Sequence, residues 1–303
     1  MGFLVFAVLE GILNGLSLGS MYILAGLGFS LLYGVFRVLQ FAHGEIVMVS
    51  GFFAWFLMHH YKFNYFVTIL LTVSLGVMMG VILESGLFKP LRSAKGLLPG
   101  ISAESLRVGV AAIALQGLFR DSALMIWGPE ARGFSTPMAK KLLSLGGMSF
   151  SLQKMVIFAV AIAVILITVY IVNKTRIGKA IRAVSQDGEA SRLMGINDRW
   201  IGIIVFTIAC GTAGVAGALL VPLISVHVFT GGAILFKAFL IVVLAGFNIE
   251  GVIYIGLALG ILENLIVIFF PPEWMNSIAF IIMIGLMLWR PTGLFREKVA
   301  ENI

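Results

Sequence analysis

The chain has 303 residues, of which 60% are hydrophobic and 12% charged, against roughly 25% charged in soluble domains, so an ordinary soluble fold is excluded. Its apolar runs, for example residues 154–172 and 251–270, are continuous rather than alternating, which excludes a transmembrane β-barrel. The formal net charge of +7 then reads as membrane orientation rather than as nucleic-acid binding.

The expectation is an all-α polytopic membrane protein with about 8–10 transmembrane segments at roughly 20 residues each. It forms one membrane domain over residues 1–303, with no separate soluble domain. Apolar segments fall at about 3–33, 46–61, 64–86, 106–127, 154–173, 201–225, 234–247, 251–270 and 276–290. No basic residue precedes the first of them, so it reads as a retained span and not as a removable signal. That segment is longer than one crossing needs and is interrupted by Glu10, Asn14 and Ser17, which leaves a long tilted helix, a broken helix or two passes open. The segment at 234–247 is short enough to be half-inserted.

Basic residues cluster in three places: Lys89, Arg92, Lys95 and Arg107; the stretch from Lys174 to Arg199; and Arg290, Arg296 and Lys298. The positive-inside bias makes all three cytoplasmic. The 128–153 loop carries Arg132, Lys140 and Lys141, yet it lies one span away from a basic loop on either side and is therefore external. Nine crossings satisfy this pattern with the N-terminus outside and the C-terminus inside.

Glycine is abundant, with 35 residues, and periodic. Gly11, Gly15 and Gly19 recur every fourth residue, as do Gly256 and Gly260, and Gly211, Gly214 and Gly217 every third. Small residues at these spacings share a helix face and let backbones approach, either as static packing or as faces that slide during gating.

Motifs for chemistry are mostly missing. There is no phosphate-binding G-x-x-x-x-G-K-[ST], no H-E-x-x-H and no G-x-S-x-G, so the chain is read as a non-enzyme, and ATP, if used, is bound elsewhere. No cofactor is expected in this chain. Cys210 is the single cysteine and lies in an apolar run, which excludes an internal disulfide and a Cys-based zinc site. The four histidines are scattered, His59 and His60 pointing to different helix faces, so no metal site is expected.

The loop at about 174–200 is the most informative stretch. Ile177, Ala180, Ile181 and Val184 share one helical face; Asp187 is placed to cap a second short helix with Ala190, Leu193 and Met194 apolar; Gly195 stops it. Such a pair of short amphipathic helices either rests on lipid headgroups or docks on a cytosolic partner. In the docking reading Ile181 and Leu193 supply apolar contact, Arg182, Asp187, Glu189 and Arg192 give register by charge, and Gly195 ends the element.

Polar residues inside apolar runs are costly unless paired or facing water. They are Asn14, Tyr22, His43, Glu45, Lys237, Glu263 and Asn264, the candidate substrate-pathway or gating set. Glu45 is placed either to stabilise the start of its own helix or to act in gating. A Lys237–Glu263 pair would neutralise both charges.

The run Thr175–Ile196, TRIGKAIRAVSQDGEASRLMGI, resembles the cytoplasmic loop of permeases of branched-chain amino acid ABC importers, the Liv type. Asn14-Gly15, Gly19, Tyr22, Leu24 and Gly28, then Gln40-Phe41-Ala42-His43-Gly44-Glu45, and finally Pro291-Thr292-Gly293 are similar to that family's opening and closing patterns, and the order fits along nearly the whole chain, which closely resembles the H-type subunit. One departure is Ala245-Gly246-Phe247-Asn248-Ile249-Glu250-Gly251, where the family commonly has a glycine-rich turn.

The resemblance implies a multi-pass subunit of the bacterial cytoplasmic (inner) membrane. It would work by ATP-driven alternating access with a second homologous permease, two ABC ATPase subunits and an extracytoplasmic substrate-binding protein, in a lipid bilayer and without nucleic acid. The implied cargo is branched-chain or other hydrophobic amino acids. Urea or short amides, and sugars or nucleosides, are alternatives within the same neighbourhood. An ion-coupled secondary transporter is the alternative from another class, and Glu263 is its strongest candidate group.

Overall fold

The computed structural model describes residues 2–93, 103–139, 141–145, 148–290 and 293–295. Lys95, Lys140, Pro291, Thr292, Arg296 and Lys298, all used in the sequence reading, lie outside the described residues.

Each of the nine apolar segments forms a helix: α1 (Gly2–Phe36), α2 (His43–His60), α3 (Tyr65–Leu83), α5 (Ala103–Trp127), α6 (Leu152–Lys174), α9 (Asp198–Ile224), α10 (Thr230–Leu244), α11 (Ile249–Phe269) and α12 (Met275–Trp289). Shorter helices α4 (Lys89–Ser93), α7 (Arg176–Gln186) and α8 (Gly188–Leu193) lie between them. Among the described residues the helices are joined by an antiparallel hairpin, β1 (Leu142–Leu145) with β2 (Met148–Ser151). It sits in the 128–153 loop.

α1 is continuous over 35 residues, so the first segment is neither broken nor two passes. At 1.5 Å per residue it is about 52 Å long, well beyond the roughly 30 Å hydrocarbon layer. Among the described residues seven helices are long and apolar enough to cross a membrane, below the range of eight to ten. α2 and α10 account for the difference. α10 has 15 residues, and α2 begins with His43 and Glu45 and ends with His59 and His60, which dilutes its hydropathy.

Both short helices start inside the bundle, about a third of the length of α1 from its C-terminal end. α1 ends at Phe36, and Arg37 follows with a positive φ of 53°. Residues 37–42 then turn back along α1, so that the His43 ring meets the Ala25 carbonyl at 3.1 Å, about 16 Å before the end of α1. From there α2 runs away from the basic end, and Phe52 stacks on Trp127 at the far end of α5, ring centroids 5.0 Å apart. α10 enters from that far side, where Val226 bridges to Arg132. It runs the opposite way until Phe247 stacks on Tyr33 near the end of α1, at 4.1 Å. The two helices therefore begin at one place and diverge. Each is preceded by a non-helical segment, residues 37–42 before α2 and residues 225–229 before α10.

The halves mirror each other. α1 packs on α11 as α9 packs on α3, and α2 meets α9 as α10 meets α1. The short helices open alike, with Gly44 and Gly231 each in the first turn. This is an inverted repeat, an arrangement common in transporters.

The glycine stripes form its seams. A methyl on Gly15 would lie 2.5 Å from Ile261 Cα, and one on Gly19 would lie 2.8 Å from the Gly256 carbonyl oxygen. On α9, a methyl on Gly214 would lie 2.8 Å from the Thr72 carbonyl oxygen, and one on Gly217 would lie 2.8 Å from the Gly51 nitrogen. Only glycine permits these backbone approaches, which supply the dispersion that binds helices where no hydrophobic drive exists.

The basic clusters share one end. Arg37 donates to the Ser185 carbonyl at 3.2 Å, Arg92 lies over the Phe36 ring at 4.1 Å, and Leu294 N–H donates to the Leu244 carbonyl at 2.7 Å. The 128–153 loop is at the opposite end. The turn that departs from the family pattern is built by Gly246 and Phe247, both with positive φ, and by Asn248, whose side chain caps α11 by accepting from Glu250 N–H at 2.8 Å.

Candidate functional site

Two polar clusters lie inside the bundle. In the first, Tyr22 of α1, Lys237 of α10 and Glu263 of α11 converge, although 215 residues separate the first two in sequence. Tyr22 donates its hydroxyl proton to Glu263 Oε2 at 2.7 Å, Lys237 Nζ donates to the Tyr22 oxygen at 2.8 Å, and Lys237 Nζ lies 2.7 Å from Glu263 Oε1. The pairing that the sequence left open is therefore formed, and both ions are buried. Each partner is held by two others, the condition under which buried ions are tolerated. Asn264 turns away and donates to the Gly260 carbonyl at 3.0 Å, four residues back on its own helix.

The second cluster is the junction where α2 and α10 begin. Neither helix has a side-chain cap: Ala42 precedes α2 and Phe229 precedes α10. The positive ends of two helix dipoles thus face one spot. Glu45, 1% exposed, sits in the first turn of α2 and against the first turn of α10, where a methyl on Gly231 would lie 2.6 Å from the Glu45 carboxyl carbon. Gln116 of α5 donates to Glu45 Oε1 at a long 3.5 Å. Among the described residues, Glu45 Oε2, His43 Nδ1, Gln40 Nε2 and Ser50 Oγ are buried without a hydrogen-bond partner. Four such atoms within eleven residues is unusual, because buried polar groups are nearly always satisfied.

Asn14 belongs to neither cluster. It accepts from Lys154 Nζ at 2.8 Å, toward the end of the bundle opposite the basic loops. Three residues that the sequence reading passed over matter here: Lys154, Gln116 and Glu84. Gln116 carries a readable signal, a lone amide in the middle of an apolar helix. Glu84 is buried and pairs with Arg92, eight residues on, across a π-helical turn at Glu84–Phe88, and that bulge brings the two together.

The loop at 174–200 forms the two short helices. Asp187 caps α8, accepting from Glu189 and Ala190 N–H at 2.9 and 3.0 Å, and Gly195 ends it at φ +85°. The two apolar faces differ. Ile181 is buried against the bundle, while Leu193 and Met194 are 89% and 83% exposed. Ile181 therefore anchors the element and is not on its outer surface, a correction to its place in the docking set. Arg182 donates to the Val172 carbonyl, which likewise ties it inward. Arg192 lies 3.8 Å from Asp198 and Glu189 is exposed.

Apolar helices packed in an inverted pattern, with two shorter helices that start inside the bundle, are common in membrane transporters. The sequence profile described as branched-chain amino acid transport system, permease component, matches residues 11–287, and the chain belongs to this family. It is 28% identical to the high-affinity branched-chain amino acid transport system permease protein BraD of Pseudomonas aeruginosa, covering 99% of both chains. It is 27% identical to the corresponding permease protein LivH of Escherichia coli, covering 97% of both. To the E. coli permease protein LivM it is 24% identical, over 95% of this chain and 71% of that one. No solved structure matches it.

Proposed function

We propose that this chain is one membrane half of a binding-protein-dependent ABC importer that carries branched-chain or other hydrophobic amino acids into the cell. The observation that carries this reading is the full-length match to permease components of branched-chain amino acid transport systems. The inverted pair of short helices agrees with it, since alternating access works by rocking two such halves about a shared centre. Glu263, on which the secondary-transporter alternative rested, is held by Lys237 and Tyr22, which favours the ATP-driven reading.

In this reading a second, homologous permease completes the pathway, an extracytoplasmic binding protein delivers substrate, and two ATPase subunits supply the energy. The basic end faces the cytoplasm of a bacterial inner-membrane protein. Leu193 and Met194 form the outer apolar contact with an ATPase subunit, Asp187 holds their helix in place, and Arg192 and Glu189 set its register by charge.

Leu193→Asp tests the docking. A carboxylate placed in that contact is expected to leave the permease inserted while the ATPase subunits co-purify poorly or hydrolyse ATP without responding to loaded binding protein. Normal ATPase binding with substrate-stimulated hydrolysis would return α7 and α8 to the role of a lipid-resting pair. Orientation is checked separately with Ser185→Cys in a Cys210→Ala background, which impermeant thiol reagents should label only from the cytoplasmic side.

A further inference from the structure

We propose that Glu45 and the first turn of α10 form a transit seat for the charged backbone of an amino-acid substrate, with Glu45 receiving the ammonium group and the helix start at Gly231 the carboxylate. The inference rests on the amino-acid reading above and adds the place and residues through which such a solute passes.

A zwitterion crossing the bilayer interior needs a fixed negative charge beside a fixed positive field, a few ångströms apart. The junction holds both. The start of α10 supplies amide groups that no side chain caps, and Gly231 leaves them uncovered, a geometry that attracts anions. Glu45 supplies the carboxylate, buried, with Oε2 unpartnered and lying against that same helix start. Glu45 thus lies beside the anion position at α10 without accepting a hydrogen bond from it. Arrival of a substrate carboxylate displaces Glu45, and the freed Glu45 becomes the partner of the substrate ammonium. The same exchange in reverse recloses the seat after release. The unpartnered atoms of Gln40, His43 and Ser50 are the remaining unmet polar capacity around the start of α2. In the Tyr22–Lys237–Glu263 cluster Glu263 Oε1 also lacks a hydrogen bond, but it lies 2.7 Å from Lys237 Nζ, so its charge is already paired and the seat is placed at the junction.

The test uses the whole importer with its own partner subunits in proteoliposomes, with leucine import read per ATP hydrolysed. Glu45→Gln should lower that ratio at least tenfold, and Glu45→Asp should restore part of it. A second pair of variants avoids Glu45. A side chain at Gly232 meets nothing within 4 Å and lies on the first turn of α10, where a carboxylate is compatible with the helix dipole. Gly232→Asp should therefore compete with substrate and lower import at least tenfold, whereas Gly232→Asn, the same size without charge, should lose no more than about twofold.

Wild-type import per ATP in both Glu45→Gln and Gly232→Asp would overturn the seat, as would equal losses in the Asp and Asn variants at 232. If Glu45→Gln does not assemble, the Gly232 pair decides alone. Failure of the unmodified importer to move leucine at all would instead sink the amino-acid reading, so the two failures are distinguishable.

Discussion

The Tyr22–Lys237–Glu263 cluster and the α2–α10 junction are buried in one bundle, and both draw on α10, yet they differ in how their charges are paired. In the cluster each charge has two partners. At the junction a carboxylate, an imidazole, an amide and a hydroxyl each have an atom with none. Burial is the same, and Glu263 Oε1 also lacks a hydrogen bond, but it has a lysine ammonium 2.7 Å away. A charge-paired network fixes α1, α10 and α11 relative to one another, whereas the junction keeps polar capacity that water or a solute can satisfy.

The largest expected effect tests the first half of that contrast. Glu263→Gln or Lys237→Met leaves one buried ion unpaired and should destabilise the protein by about 3–5 kcal/mol, read as a lower midpoint in thermal melts of the detergent-solubilised protein. The double variant should recover most of the loss, because neither ion remains. A double variant no more stable than the singles would show that the cluster acts through shape and not charge.

Next in size is the seam that carries the cluster. Gly19→Val puts side-chain atoms against the Gly256 and Leu257 backbone and should cost about 1–3 kcal/mol by overpacking, visible in the same melts.

Glu45→Gln should change stability by less than about 1 kcal/mol, since it removes a buried charge while losing only a helix-end attraction, even though its expected effect on import is large. A loss as great as that of Glu263→Gln would erase the contrast between the two sites and make Glu45 structural. Smallest of all, Gly34→Ala, on the same helix as Gly19 but with nothing within 4 Å of the added methyl, should stabilise by up to about 1 kcal/mol through helix propensity. Destabilisation there would mean that α1 slides against a neighbour in a second state.

Much of the architecture was legible in the chain itself. Continuous apolar runs of crossing length can only be helices in lipid, because a backbone without water must satisfy itself internally, and all nine became helices. The caps at Asp187 and Asn248 and the stop at Gly195 follow from the same local physics. The glycine spacings likewise announced close helix faces, though not which faces meet: Gly15 and Gly19 find the α11 stripe more than two hundred residues away. For the same reason helical periodicity shows that Ile181 lies on an apolar face of α7 but not whether that face looks toward a partner or back into the bundle.

What sequence alone determined was everything set by the neighbours of a residue along the chain: the membrane class, the helix positions, the basic end, the short helices of the 174–200 loop and the polar residues whose burial would be costly. Only the tertiary structure decided which of those polar residues meet. It closed Tyr22, Lys237 and Glu263 into one network, sent Asn14 to Lys154, and brought the starts of α2 and α10 together around Glu45. The physical reason is that a charge in lipid demands a partner of a given kind, while the partner's position in the chain is set by how whole helices pack, and packing by small residues carries no address.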